Sequence, residues 1–273
     1  NASSFPYEVD YNDHFETPIE AYQDILPLLD LVAPPPTTTI TTTKQPKRSK
    51  HILYDPYYCD GKAATLLHTL GFTNVQHEKC DFYENIRNND VPFHHTLVTN
   101  PPYSGDHKEK CVEYAVKGLR EEGRCFFLLM PNYIALKEYF RVAIADEEGK
   151  EPKDIVYVIP PSSYEYDHPE GTGHDIPPFA SIWFCGLGTA ASEKAKVIFN
   201  RLNQNNFKTG NDTKRPPSVL VSTLEELKQR NAVPNQKRLN PRQRRKQKQR
   251  LQQQNFSSSM DHNNGAAAYS PPE

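Results

Sequence analysis

With 273 residues the chain can hold one sizeable α/β domain with appendages, and two full domains would not fit. A hydrophobic fraction of 36% and a mean hydropathy of −0.76 describe polar flanks attached to an ordinary core; no run approaches the roughly 18 to 20 apolar residues that span a bilayer, so a soluble, intracellular protein of nucleus or cytoplasm is expected. The net charge of −2 conceals eight basic residues and no acid between Gln236 and Arg250, leaving 24 basic against 34 acidic residues elsewhere. Such a run can supply phosphate contacts to nucleic acid or a nuclear localisation signal, or serve as a solvated tail.

Five cysteines without Cys-x-x-Cys spacing (Cys59, Cys80, Cys111, Cys125, Cys185) argue against a disulfide framework and a structural zinc site, and no metal is expected. The Asn-x-Ser/Thr triplets at Asn1, Asn211 and Asn255 have no secretory context and are set aside. A first residue of Asn rather than Met reads as a trimmed fragment and leaves open a targeting segment upstream.

In chain order, residues 1-33 form an N-terminal segment in which Thr17 and Pro18 read as an N-cap and first helical residue ahead of Ile19, Tyr22, Ile25, Leu28 and Leu29, an amphipathic helix. Residues 34-50 are a Pro/Thr-rich, basic linker. From 51 to 190 apolar runs alternate with helical patterns, as in a parallel sheet with crossover helices. Strands are expected at 51-54, 74-80, 95-99, 125-130, 154-159 and 180-185, and helices at 62-70, 108-120 and 133-145. The last strand follows a Pro-, Tyr- and His-rich loop without a helix, which permits antiparallel pairing. Residues 191-235 are a C-terminal extension and 236-273 a basic, disordered tail.

The chemistry concentrates in Asn100-Pro101-Pro102-Tyr103, directly after the strand 95-99. An exocyclic amine on a base or amide is a poor nucleophile because its lone pair is delocalised. Two acceptors on its two hydrogens pull it toward tetrahedral geometry: the Asn100 side-chain oxygen, and the carbonyl of Pro101 held in an extended conformation by Pro102. Tyr103 offers a flat face for stacking, and the carboxyl end of a strand is where open α/β sheets bind ligands. Read blandly, the same residues are a Pro-Pro turn closing a strand.

Leu97-Val98-Thr99-Asn100-Pro101-Pro102-Tyr103 resembles the signature of the N6-adenine methyltransferase superfamily, and the likeness extends over most of residues 15 to 186. It implies a Rossmann-like α/β sheet that binds S-adenosyl-L-methionine (SAM), mostly parallel with an antiparallel last strand. Phe15-Glu16-Thr17-Pro18 resembles the element that touches the methionine end of SAM. Asp55-Pro56-Tyr57-Tyr58-Cys59-Asp60-Gly61 resembles the cofactor loop, assigning Asp55, Pro56, Tyr57 and Gly61 to SAM, although Cys59 stands where the family has a glycine. Asp81 and Phe82 match the pair that meets the adenine, and Glu78 is the weaker match to the carboxylate on the ribose; Asp81 reads alternatively as a helix N-cap. Only one strand is evident between the first crossover helix and Asp81, so a sheet one strand short is expected.

The family likeness implies methylation of adenine at N6 in nucleic acid, with RNA ahead of DNA because no duplex-reading module is present. The alternatives are a protein-glutamine methyltransferase, which shares Asn-Pro-Pro-Tyr, and a non-catalytic binding subunit of the same fold. Nucleic acid would be met by residues 104-108, by the loop 162-178 with Tyr164, Tyr166, His168 and His174, and by the basic run 236-250.

Overall fold

The computed structural model describes residues 15–35, 48–166, 180–209 and 215–234. The basic run 236-250, the triplets at Asn1, Asn211 and Asn255, His168 and His174 lie outside them.

The first helix, α1 (Ile19–Val32), buries Ala21, Tyr22, Ile25, Leu28 and Leu29, an i, i+3, i+4, i+7 stripe. The chain then runs β1 (Leu53–Tyr54), α2 (Lys62–Thr69), β2 (Val75–Gln76), α3 (Phe82–Asn88), β3 (Thr96–Thr99), α4 (His107–Glu122) and β4 (Cys125–Pro131). A 3-10 turn at Asn132–Leu136 precedes α5 (Glu138–Ile144), followed by β5 (Ile155–Ile159), β6 (Ser181–Gly186), α6 (Thr189–Thr209), β7 (Val219–Val221) and α7 (Leu224–Gln229). The seven strands form one sheet in the order β2-β1-β3-β4-β6-β5-β7. Neighbours from β2 to β4 are parallel, and β6 and β7 run against the rest.

Because side chains alternate across a strand, the sheet feeds two cores. Leu97, Phe126, Leu128, Met130, Ile182 and Phe184 pack with α4 and α5 on one face. Val98, Phe127, Leu129, Val156, Trp183 and Cys185 pack with α1, α2 and α6 on the other. The result is a three-layer α/β/α arrangement, compatible with a Rossmann-like fold. Trp183 Nε1 donates to the Ala21 carbonyl at 3.0 Å, fixing α1 to the centre of its face. Arg48 ties the end of α1 to the end of α2 by two 2.6 Å bonds to Asp30 and one to the Leu70 carbonyl.

Several expectations are corrected. The sheet is not one strand short: β7, from the segment set apart as an extension, pairs antiparallel with β5 and restores the count to seven. The strand expected over 74-80 is confined to Val75–Gln76, because the chain must leave the edge to begin α3 at Asp81. The single helix expected over 133-145 breaks at Lys137, which is extended (φ −76°, ψ 138°). In one continuous helix Ile134 and Phe140 would sit about 120° apart at 100° per residue, and the break lets both enter the core. Thr17 is not the N-cap. Pro18 holds that position, and the Thr17 hydroxyl hydrogen-bonds Tyr22 instead.

Among the described residues no helix is long and apolar enough to cross a membrane, and no group of three His, Cys, Asp or Glu side chains could hold a metal ion. All five cysteines are free thiols.

Candidate active site

The connections from β1 lead outward to the edge strand β2, and those from β3 lead the other way to β4, so the sheet reverses direction between the adjacent strands β1 and β3. Crevices at such switch points, beyond the carboxyl ends of the strands, are where open α/β sheets take ligands. Asp55 leaves β1 and Asn100 leaves β3 at this place.

The two strand ends are joined. Thr99 Oγ1 donates to Asp55 Oδ1 at 2.5 Å, and the Tyr57 amide donates to the same oxygen at 3.2 Å. Asp55 is only 4% exposed. Burial raises its pKa, and the neighbouring His77, the Thr99 hydroxyl and the Tyr57 amide act against that rise. Pro56 is buried beside it.

The loop that follows is held open by backbone geometry. Cys59 has φ +46° and Gly61 φ +83°, and the Gly61 amide donates to the Tyr58 carbonyl at 2.8 Å. A positive φ at the first central residue of a four-residue turn is the type II′ pattern, which favours glycine there. Cys59 therefore holds a positive-φ backbone at a cost of about 1–2 kcal/mol for a residue with a Cβ. A Cβ at Gly61 would lie 2.8 Å from the Tyr58 hydroxyl, so a larger residue there requires Tyr58 to shift and holds a strained φ of +83°. The loop is braced from the segment just before α1: buried Glu16 accepts from the Asp60 amide at 2.8 Å. Burial, with Glu16 and Asp60 nearby, pushes the Cys59 thiol pKa up. The Tyr22 phenol is raised by its burial and by Asp55, so the start of α1, Thr17 included, lies against the same loop.

At the end of β3, Asn100 and Tyr103 are half-buried and Pro101 is buried. The Tyr103 hydroxyl donates to Asn100 Oδ1 at 2.6 Å, with a longer approach of 3.4 Å to the Leu129 carbonyl. Tyr103 thus orients Asn100 in addition to presenting a ring, and the amide oxygen retains a second lone pair. The Lys108 ammonium donates to the Tyr103 and Ser104 carbonyls and pins the loop to the first turn of α4. Tyr166 reaches the site from the loop after β5. It packs edge-on against Phe15 at 6.1 Å and contributes to raising the Tyr103 pKa, after burial.

Asp81 is the N-cap of α3, its Oδ1 accepting from the amides of Tyr83 at 2.9 Å and Glu84 at 3.0 Å. Phe82 is 3% exposed and enclosed by Tyr54, Tyr57, Tyr83 and Tyr114 at centroid distances of 5.0–6.0 Å. Its edge supports Tyr57, and Tyr57 is linked onward through its hydroxyl to Tyr83 (2.9 Å) and from Tyr83 to His107 Nδ1 (2.8 Å). Glu78 is exposed on the surface. The residues brought together are therefore Thr17, Asp55, Pro56, Tyr57, Gly61 and Asn100 to Tyr103, with Phe82 supporting Tyr57 from behind, Asp81 capping α3 and Glu78 outside.

Sequence reasoning missed Glu16, Thr99 and His77. Glu16 and Thr99 lie inside motifs that were singled out and His77 adjoins one, but nothing in the local pattern marks their side chains as turned inward. His77 Nδ1 lies 3.0 Å from the Asp55 carbonyl and 3.8 Å from its carboxylate, and its ring stacks on Tyr58 at 5.0 Å. Its other nitrogen is buried without a partner.

The groups that would meet a nucleoside-bearing cofactor at this switch point are the buried Asp55 carboxylate and the polar loop 55-61. No protein-family model matches this chain, and no curated protein matches it either.

Proposed function

We propose that this protein is a SAM-dependent N-methyltransferase acting on the exocyclic amino group of adenine (N6) in nucleic acid, with RNA favoured over DNA. The observation that carries the reading is the juxtaposition at the switch point: Asn100, with its amide oriented by Tyr103, stands one strand away from Asp55, the two strand ends being joined by the 2.5 Å Thr99–Asp55 bond. When bound, SAM supplies an electrophilic methyl group on a sulfonium.

The rest falls to the chain's own side chains. The loop 55-61, at the carboxyl end of β1, holds the nucleoside end. Asn100 Oδ1 and the Pro101 carbonyl accept from the two hydrogens of the acceptor amine, so that its lone pair turns out of the ring plane and toward the cofactor. Tyr103 keeps Asn100 from rotating away, and Lys108 keeps the loop from opening.

The test is transfer of labelled methyl from SAM to total RNA, genomic DNA and protein extract in parallel, with nucleoside and amino-acid analysis of the products. N6-methyladenosine in RNA is the expected result. Label confined to glutamine in protein would replace the substrate assignment, and no label in any of the three would overturn the reading.

A further inference from the structure

We infer that Asp24, Tyr164 and Arg215 form a latch that seats Tyr166 beside Tyr103, which makes all three positioning residues for the acceptor side of the site; this rests on the methyltransferase reading above. Two chain segments meet at the edge of the sheet where the site lies. β4 and β5 both run against β6 and are therefore parallel to each other, and β4 is parallel to β3, so β5 ends at the same edge as the strand that carries Asn100. Residues 160–166 leave β5 at that edge. The residues after Arg215 enter β7 there, since Val219 pairs with Ile159.

Both segments are tied to the middle of α1 through one carboxylate. Asp24 is 7% exposed. Its Oδ1 accepts from Arg215 Nη1 at 2.6 Å, and its Oδ2 accepts from Nη2 at 2.8 Å and from the Tyr164 hydroxyl at 2.7 Å. The guanidinium also lies over the Tyr164 ring, 5.9 Å from its centroid. A forked pair of charge-assisted bonds is directional. Taking such a pair out of water adds little net stability, because desolvation offsets the attraction, so what the three bonds supply is a fixed relative position. Tyr164 was expected to face nucleic acid; buried and bonded to α1, it anchors its segment instead.

What the anchor fixes lies two residues on. Tyr166 packs edge-on against Tyr164 at 6.5 Å and against Phe15, just ahead of α1, at 6.1 Å. Its phenol neighbours that of Tyr103, whose hydroxyl orients Asn100. A line of contacts therefore runs from Asp24 through Tyr164 and Tyr166 to Tyr103 and the Asn100 amide. The loop 55-61 is braced separately, by Glu16.

Steady-state methylation of adenine-containing RNA by the full chain, with SAM affinity measured by calorimetry, tests the latch in Tyr164→Phe and Arg215→Gln. Tyr164→Phe keeps the buried ring and loses only the bond to Asp24, so it reads the latch even if Arg215→Gln fails to fold. kcat/KM for RNA should fall about fivefold in Tyr164→Phe and about tenfold in Arg215→Gln, with SAM affinity within about twofold of the wild type. Because the effect runs through Tyr103, Tyr164→Phe should cause little further loss when Tyr103→Phe is already present. Hydrogen exchange of the 160–166 amides should accelerate in both variants, a readout that needs no activity. Unchanged kcat/KM, a loss that adds in full to that of Tyr103→Phe, SAM affinity falling in step, or unchanged exchange would each overturn the latch. No methylation by the wild type would instead overturn the methyltransferase reading and this inference with it.

Discussion

Two buried histidines make the stability of this fold sensitive to mild acid. His51 Nε2 bonds Thr96 Oγ1 at 2.7 Å at the base of β3, and burial with His95 nearby lowers its pKa to about 4, against a small opposing effect of Asp30. His94 is lowered to about 4 by burial, opposed by the Pro92 carbonyl and assisted by Arg124, whose guanidinium lies 2.9 Å from Nε2. Each ring therefore binds its proton less readily in the folded chain than in the unfolded one, where the value is about 6.5. Between pH 6.5 and 4 the unfolded chain holds more protons, so stability is full above that window and falls as pH drops through it. Going from pH 7 to pH 5 costs about 2 kcal/mol per histidine, or about 4 kcal/mol for the pair. Urea unfolding at the two pH values reads the loss, and His51→Gln and His94→Gln should each reduce it by about 2 kcal/mol. If both variants lose as much stability as the wild type on acidification, the burial argument is refuted.

Three further outcomes follow from particular contacts. Gly186 faces Phe126 so closely that a Cβ would collide with its fully buried ring, so Gly186→Ala should destabilise by about 1–3 kcal/mol in urea unfolding, and an unchanged midpoint would contradict the packing. At the left-handed position 59, Cys59→Gly exchanges backbone strain for unfolded-chain entropy and should stay within about 1 kcal/mol of the wild type, whereas Cys59→Val should cost at least about 1 kcal/mol more; equal effects would mean that φ +46° is not held in solution. Tyr103→Phe removes the hydroxyl that orients Asn100 and should lower kcat about five- to tenfold with SAM affinity unchanged, while a wild-type kcat would exclude that orienting role.

The strand end at Asn100 was legible because its physics is local. A short strand-forming run, Thr96-Leu97-Val98-Thr99, entering Asn-Pro-Pro-Tyr fixes a strand end and a rigid carbonyl without reference to the rest of the chain. The glycine-like turn at Cys59 was half legible: the pattern showed a residue out of place, but only the backbone shows that φ remains positive there. β7 was missed because Val219-Leu220-Val221 is too short to stand out from its polar surroundings and earns its place only by pairing with β5. Asp81 and Phe82 were read as ligand contacts from their likeness to a family pair, with a helix N-cap as the alternative for Asp81; their neighbours in space give the ring a place in the core and the carboxylate that helix to cap. His77 carried no periodic signal, since its burial depends on the Asp55 carbonyl 22 positions away in sequence.

The division of labour between the two strand ends is tested most directly by one paired measurement on Asn100→Ala: SAM affinity by calorimetry and turnover on adenine-containing RNA. On the proposed function Asn100 acts on the acceptor amine and the loop 55-61 on the cofactor, so SAM affinity should stay within about twofold while turnover falls by about 100-fold or more. Loss of SAM binding in step with turnover, or turnover that persists, would contradict the account.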